Sequence, residues 1–346
     1  MSPPFDKGGG GGIMSPPFDK GGAGGIRHGF RVEGMKPEIL VLVPIYAPTL
    51  AALEREYAVH KLWIAHDPDA LVKKVSGRVR AVVTTGSSGI ESRLFEALPR
   101  LEIIGCFGTP HGAVDLALAK RHGVAVTSTP DSIVGDVADL AMGLIVAVMR
   151  RLVEADRFVR AGQWLSGLLP PGSGLGGKTC GIIGLGAIGR EIATRAEAFG
   201  MSVCYHGPRR KADAAYAFHP DLANLARESD CLVVACRSTP ETRNLVNTSI
   251  LDALGADGYL VNIARGPIVD EQALIAALKD RRIAGAALDV FWDEPRVPVE
   301  LTMMEQVVLA PHIGSTTREV REERGRKLLA NLRAHFAGEP LPTPLT

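Results

Sequence analysis

The sequence predicts an α/β fold: two doubly wound units with parallel sheets, joined by long helices. Three observations carry that expectation. From Met35 onward, short apolar runs alternate with helical patterns, the rhythm of a parallel sheet covered on both faces. The rhythm breaks at Pro130, gives way to a long helical pattern and restarts at Lys178. The length of 346 residues suits about two domains of roughly 100–200 residues each.

In the first unit, strands are expected at 39–43, 81–84, 101–106 and 124–127, with helical stretches at 91–98 and 114–122 between them. A long helix is expected over about 132–162, followed by a Gly- and Pro-rich loop at 165–177. The second series places strands at 179–183, 202–205, 231–235, 259–263, 286–290 and 307–310. A closing helix at about 317–336 is expected to return to the first unit and make it discontinuous.

Composition narrows the class. A net charge of +1, 46% apolar and 22% charged residues describe a soluble globular chain, not a disordered, collagenous or disulfide-built one. A balanced charge argues against nucleic acid as a partner. The longest apolar run, 140–149, is half of the ~20 residues a membrane span needs, so it reads as a buried helix and no membrane is expected. Five cysteines without a CxxC pair point to a reduced, cytoplasmic setting and to no metal site.

The 39 glycines exceed the ~7% background, and 11 of them fall in residues 1–34. There, MSPPFDKGGGGGI and MSPPFDKGGAGGI stand in tandem, differing only at Gly10/Ala23. Residues 1–34 are expected to be a leader, vector-derived or from a misread start, without a fixed fold.

Other glycines carry chemistry. Gly184-Leu185-Gly186-Ala187-Ile188-Gly189 follows an apolar run and opens a helical pattern at 190–199. A lone GxGxxG is weak, but this context makes it a dinucleotide fingerprint. Gly184 permits a tight turn, Gly186 lets N–H groups approach a pyrophosphate, and Gly189 allows close helix–strand packing. After the next strand an NAD site would show a carboxylate for the ribose hydroxyls. Here the segment reads Tyr205-His206-Gly207-Pro208-Arg209-Arg210-Lys211. Nothing there repels a 2′-phosphate, and Arg209 and Arg210 can pair with one. NADP is the favoured cofactor and NAD the alternative; a solvated basic turn is the plain structural reading.

Three further segments follow later strands: Val261-Asn262-Ile263-Ala264-Arg265-Gly266, Leu288-Asp289 through Glu294-Pro295, and Ala310-Pro311-His312-Ile313-Gly314-Ser315. Each falls at a C-terminal strand end, where open α/β sheets bind ligands. Arg, Glu and His converging beside a nicotinamide make a general acid/base constellation.

At these residues, and in the runs TPDSIVGDVADLAMGLIVAVMRR, STPETRNLVN, NIARGPIVDE, ALDVFWDEP and APHIGS, the sequence resembles the D-isomer-specific 2-hydroxyacid dehydrogenases. It is most similar to their hydroxyphenylpyruvate, hydroxypyruvate and glyoxylate reductase branch. The resemblance spans nearly all of 36–346. It implies a flavodoxin-like substrate-binding domain at 35–133 plus 317–346, and an NAD(P)-binding Rossmann domain at 134–316. By position, Arg265 matches the arginine that binds the substrate carboxylate and carbonyl, His312 the catalytic histidine, and Glu294 its paired glutamate. Asp289 matches the aspartate that holds the nicotinamide carboxamide. Ala187, Ile188 and Thr239 lie on the phosphate side, and Ala264 and Ser315 belong with the cofactor-binding residues of their motifs. The implied reaction is hydride transfer to a 2-oxo acid, with His312 as general acid and Glu294 favouring its charged form. A homodimer through the long helix and its following loop is also implied; the face of 138–148 is compatible with that and equally with ordinary core.

Two departures stand out. In Cys106-Phe107-Gly108-Thr109-Pro110-His111-Gly112, Pro110 occupies a position where relatives carry Gly, and proline has no N–H to offer a carboxylate. Either Thr109 or His111 compensates, or the substrate differs. Pro208 stands where NADP-using relatives often carry Arg. Trp292 is bulky for its place beside the catalytic loop and is given no role. The expected activity is NADP-dependent reduction of glyoxylate or hydroxypyruvate. The competing readings are an NAD-dependent hydroxyacid dehydrogenase and a dinucleotide-sensing, corepressor-like interaction protein of the same fold.

Overall fold

The computed structural model describes residues 36–86, 88–110, 113–130 and 133–346. The leader and His111 lie outside them. The first sheet contains β1 (Glu38–Val41), β2 (Ala58–Lys61), β3 (Val79–Thr85), β4 (Ile103–Phe107) and β5 (Ala125–Thr127), in the order β2-β1-β3-β4-β5. The second contains β6 (Thr179–Ile183), β7 (Ser202–His206), β8 (Ala217–His219), β9 (Cys231–Val234), β10 (Tyr259–Asn262), β11 (Gly285–Leu288) and β12 (Val307–Leu309), in the order β12-β11-β10-β9-β6-β7-β8.

Every pairing between these strands is parallel, as the apolar-run rhythm requires. Both orders are doubly wound, and each reverses at a switch point: between β1 and β3 in the first sheet, and between β6 and β9 in the second. Strands β2 and β8 escaped the sequence reading. Both are short edge strands that are only partly buried, so they lack the continuous apolar run that marks a central strand.

The long helix expected over 132–162 is two helices, Val134–Met149 and Leu152–Arg160. Arg151 breaks it by adopting φ +55, and its guanidinium grips Glu154 through two hydrogen bonds. The face of 138–148 is core: Ala138, Ala141, Met142, Leu144, Ile145 and Val148 are buried against the second sheet. The helix Arg318–Ala337 packs instead on the first sheet, through Leu328, Leu329 and Leu332. Close approach there demands small residues. A β-carbon on Gly105 would come within 2.5 Å of Leu328, and one on Gly325 within 2.3 Å of Thr49. The segment between β12 and this helix therefore runs from the edge of one sheet to the other.

Candidate functional site

In a parallel sheet all C-terminal strand ends share one edge. The second sheet thus gathers the loops after β6 (Gly184–Gly189), β7 (Arg209, Arg210), β9 (Thr239), β10 (Ala264, Arg265), β11 (Asp289, Glu294) and β12 (His312, Ser315) along one edge. Thr109 follows β4 at the corresponding edge of the first sheet.

At the β6 switch point the glycine loop is sterically committed. Gly184 has φ +98, and a β-carbon on it would lie 2.7 Å from Cys236. One on Gly189 would lie 2.3 Å from the Gly184 carbonyl oxygen, so the helix starts directly against the strand end. A β-carbon on Gly186, in contrast, meets nothing within 4 Å. Helix Ala187–Ala198 begins at Gly186 with no side-chain cap, so the N–H groups of Ala187, Ile188 and Gly189 form an open donor cluster at the positive end of the helix. An uncapped terminus facing vacant space fits the pyrophosphate of a dinucleotide. Thr239, across the switch point, is exposed, and its N–H is taken by the Thr242 hydroxyl at 2.8 Å.

The basic turn after β7 is closed by the Lys211 N–H donating to the Tyr205 hydroxyl at 2.7 Å. His206 turns its ring aside, donating from Nδ1 to the His219 carbonyl at 2.9 Å. Arg209 and Arg210 are exposed and have no hydrogen-bond or ion-pair partner among the described residues. The next carboxylate along the chain, Asp213, is engaged by Arg190 at 2.8 Å, which holds it below the usual carboxylate range. The turn therefore keeps unneutralised positive charge.

His312 and Glu294 meet. The imidazole Nδ1 donates to Glu294 Oε2 at 2.7 Å, and Glu294 Oε1 accepts the Phe291 N–H at 3.1 Å. Both side chains remain part-exposed, open to a ligand. His312 has φ +54, a left-handed conformation that a β-carbon disfavours. Asp289 secures it: its carbonyl accepts the His312 N–H at 2.9 Å, and its carboxylate accepts Ile313 N–H at 2.7 Å and Gly314 N–H at 2.9 Å. Asp289 is 1% exposed. Burial raises its carboxyl above the ordinary range, against the lowering effect of those two N–H groups.

Arg265 is exposed at the mouth of the β10 loop, one of its N–H groups on the Ala264 carbonyl at 2.6 Å. Asn262, buried, shapes that loop by accepting the Ala264 N–H and donating to the Arg265 carbonyl. A β-carbon on Gly266 would fall 2.1 Å from the Phe291 backbone, so the arginine and glutamate loops touch. Trp292 covers this junction. Its indole N–H donates to the Val269 carbonyl at 2.8 Å, and the Arg243 guanidinium stacks 4.5 Å above its ring. Asn262 and Trp292 were legible only as residue types: a polar side chain closing an apolar strand, and an oversized aromatic.

In the β4 loop, Gly108 exchanges two hydrogen bonds with Thr129, at 2.6 and 3.1 Å. Its N–H is thereby used, and Pro110 has none. Thr109 is exposed, and its N–H and hydroxyl have no partner among the described residues. Among the described residues of this loop, they are the donors left free. Ser315 is half-buried beside the His312 loop. No group of His, Cys, Asp and Glu among the described residues could hold a metal ion.

Residues 142–314 match the family model of the D-isomer specific 2-hydroxyacid dehydrogenase NAD-binding domain. The glyoxylate/hydroxypyruvate reductase A of Arabidopsis thaliana is 45% identical over 307 residues, covering 89% of this chain and 98% of that one. The solved structure of a 2-hydroxyacid dehydrogenase from Ketogulonicigenium vulgare superposes with a TM-score of 0.81 at 41% identity, over 90% of this chain and 99% of the other. An NADPH-dependent glyoxylate/hydroxypyruvate reductase from Sinorhizobium meliloti, solved with NADP and malonate, gives 0.75 at 36% identity, over 90% and 97%. With such identity and coverage, the chain belongs to the D-isomer-specific 2-hydroxyacid dehydrogenase family.

Proposed function

We propose that this chain is an NADPH-dependent 2-oxoacid reductase acting on glyoxylate or hydroxypyruvate. The observation that carries the reading is the His312–Glu294 pair, 2.7 Å apart, on the same sheet edge as the uncapped glycine loop and the exposed Arg265. The similarity to the Arabidopsis and Sinorhizobium reductases supports the substrate and cofactor.

Reduced nicotinamide, when bound, supplies the hydride. Arg265 grips the substrate carboxylate and stabilises charge at the reacting oxygen. Because Nδ1 of His312 donates to Glu294, the proton for the developing alkoxide leaves from Nε2 of the imidazolium. In the reverse direction the same nitrogen accepts it. The Glu294 carboxylate orients the ring by accepting its Nδ1–H. Asp289 positions the His312 loop, and its carboxylate oxygens have further lone pairs for the carboxamide. Ala187, Ile188, Gly189 and Thr239 hold the pyrophosphate, Arg209 and Arg210 the 2′-phosphate, and Ala264 and Ser315 flank the nicotinamide side. Thr109 supplies carboxylate donors in place of Pro110.

We further assign 35–133 with 317–346 as the substrate-binding domain and 134–316 as the dinucleotide-binding domain. A homodimer is supported by Leu152, Val159, Trp164, Leu165 and Leu168, which leave an exposed apolar surface on the helix and loop after Arg151. Five unpaired cysteines fit a reducing, cytoplasmic compartment. No helix among the described residues is long and apolar enough to cross a membrane.

An activity matrix tests the reading: glyoxylate, hydroxypyruvate and an aryl pyruvate, each with NADPH and NADH. Turnover with NADPH and a small 2-oxo acid is expected. Tight dinucleotide binding without turnover of any acid would favour the sensor instead.

A further inference from the structure

The basic turn after β7 is tied down at both ends and from beneath. Where β7 ends, the His206 carbonyl accepts the Gly184 N–H at 2.9 Å, which joins the turn to the first glycine of the phosphate loop. Further along, Asp213 pairs with Arg190 at 2.8 Å, and the Tyr216 hydroxyl donates to Glu197 at 3.0 Å. Both partners belong to Ala187–Ala198, the helix whose first N–H groups form the open donor cluster, and Arg190 stands in its first turn.

The hold from beneath comes from Tyr205. It is 1% exposed, packed in the core of the second sheet with its ring 5.3 Å from that of Phe218 in β8. Its hydroxyl accepts the Lys211 N–H at 2.7 Å. That bond closes the segment 205–211 into a loop that contains Arg209 and Arg210, both exposed. Within the loop, Pro208 holds its own φ fixed. A solvated basic turn needs no such scaffold. A loose one would have to order its backbone and two long side chains around a ligand, and that ordering weakens binding.

We infer that Tyr205 is a positioning residue for cofactor selection: its buried hydroxyl shapes the turn in advance, so that Arg209 and Arg210 meet the 2′-phosphate as a fixed pair. Tyr205 acts through the turn and not by touching the dinucleotide. This rests on the reading that Arg209 and Arg210 hold the 2′-phosphate, and it names what makes that same site selective.

Dissociation constants for NADPH and NADH, measured on the full chain by dinucleotide fluorescence, test this in four proteins. They are the wild type, Tyr205→Phe, Arg209→Ala with Arg210→Ala, and all three changes together. Tyr205→Phe keeps the ring and removes only the acceptor. It is expected to weaken NADPH about three- to tenfold, as the loss of one hydrogen bond does, and NADH less than about twofold. With both arginines already replaced, adding Tyr205→Phe should leave the NADPH/NADH ratio unchanged, because the coupling runs through them. A Tyr205 that serves only the core would affect both cofactors alike, and equal effects overturn the inference. So does a ratio that still moves when the arginines are absent. An unchanged ratio in the arginine variant overturns the reading of those two residues, and the role of Tyr205 with it. Lys211→Pro removes the same bond from the donor side and is compared with Lys211→Ala, which keeps the N–H. The same selective loss of NADPH is expected, and equal NADPH/NADH ratios in those two variants overturn the inference even if Tyr205→Phe does not fold.

Discussion

Asp289 holds His312 from both its backbone and its side chain. Its carbonyl accepts the His312 N–H, and its carboxylate clamps the next two N–H groups, of Ile313 and Gly314. One residue of the β11 loop thus fixes the left-handed turn that presents the imidazole after β12.

Asp289→Asn leaves a single acceptor oxygen for two N–H groups, one buried and one part-buried. A stability loss of about 1–3 kcal/mol is expected, with a lower kcat, read by thermal unfolding and steady-state assay. Because burial raises the Asp289 carboxyl, the folded state keeps its proton to higher pH than the unfolded chain. Stability should therefore fall as pH rises from the ordinary carboxylate value to the raised one, and the Asn variant should lack that contribution. Unchanged stability and turnover would mean that the clamp does not matter.

Glu294→Gln keeps a group of the same shape beside His312 but removes its charge. A charge-assisted hydrogen bond contributes about 1.5–3 kcal/mol, so kcat for reduction should drop roughly 10- to 100-fold. Glu294 has no such role if kcat stays within twofold.

Two glycine substitutions should separate fold from cofactor. In Gly189→Ala the new β-carbon collides with the Gly184 carbonyl oxygen, and overpacking of this kind costs about 1–3 kcal/mol. In Gly186→Ala the β-carbon enters open space. The unfolding temperature should stay the same while NADPH affinity falls, because the methyl group occupies the anion cradle. Equal effects of both variants on stability would argue against that cradle.

Replacing Arg209 and Arg210 together by Ala should raise KM for NADPH more than for NADH, since only one cofactor carries the 2′-phosphate. An unchanged ratio of the two KM values would remove both arginines from cofactor selection.

The central strands and the fingerprint were legible because their signals are local. Runs such as Cys231–Val234 are apolar throughout, and Gly184 to Gly189 carry a fixed spacing. The break at Arg151 was not, because the apolar pattern continues through a residue whose backbone turns left-handed. Strands β2 and β8 are partly polar and recognisable only from their neighbours. In the site, Arg265, Glu294 and His312 could be named from motifs, but their support could not. The Asp289 clamp and the Arg243–Trp292 stack arise from contacts between segments far apart in sequence.

The most direct measurement is NADPH oxidation with glyoxylate by the wild-type protein and by His312→Asn, with dinucleotide binding measured in both. The expected result is glyoxylate-dependent oxidation by the wild type, and a variant that still binds NADPH but turns over at least about 10²-fold more slowly, as loss of a general acid requires. A near-normal rate in His312→Asn, or no glyoxylate-dependent oxidation by the wild type, would contradict it.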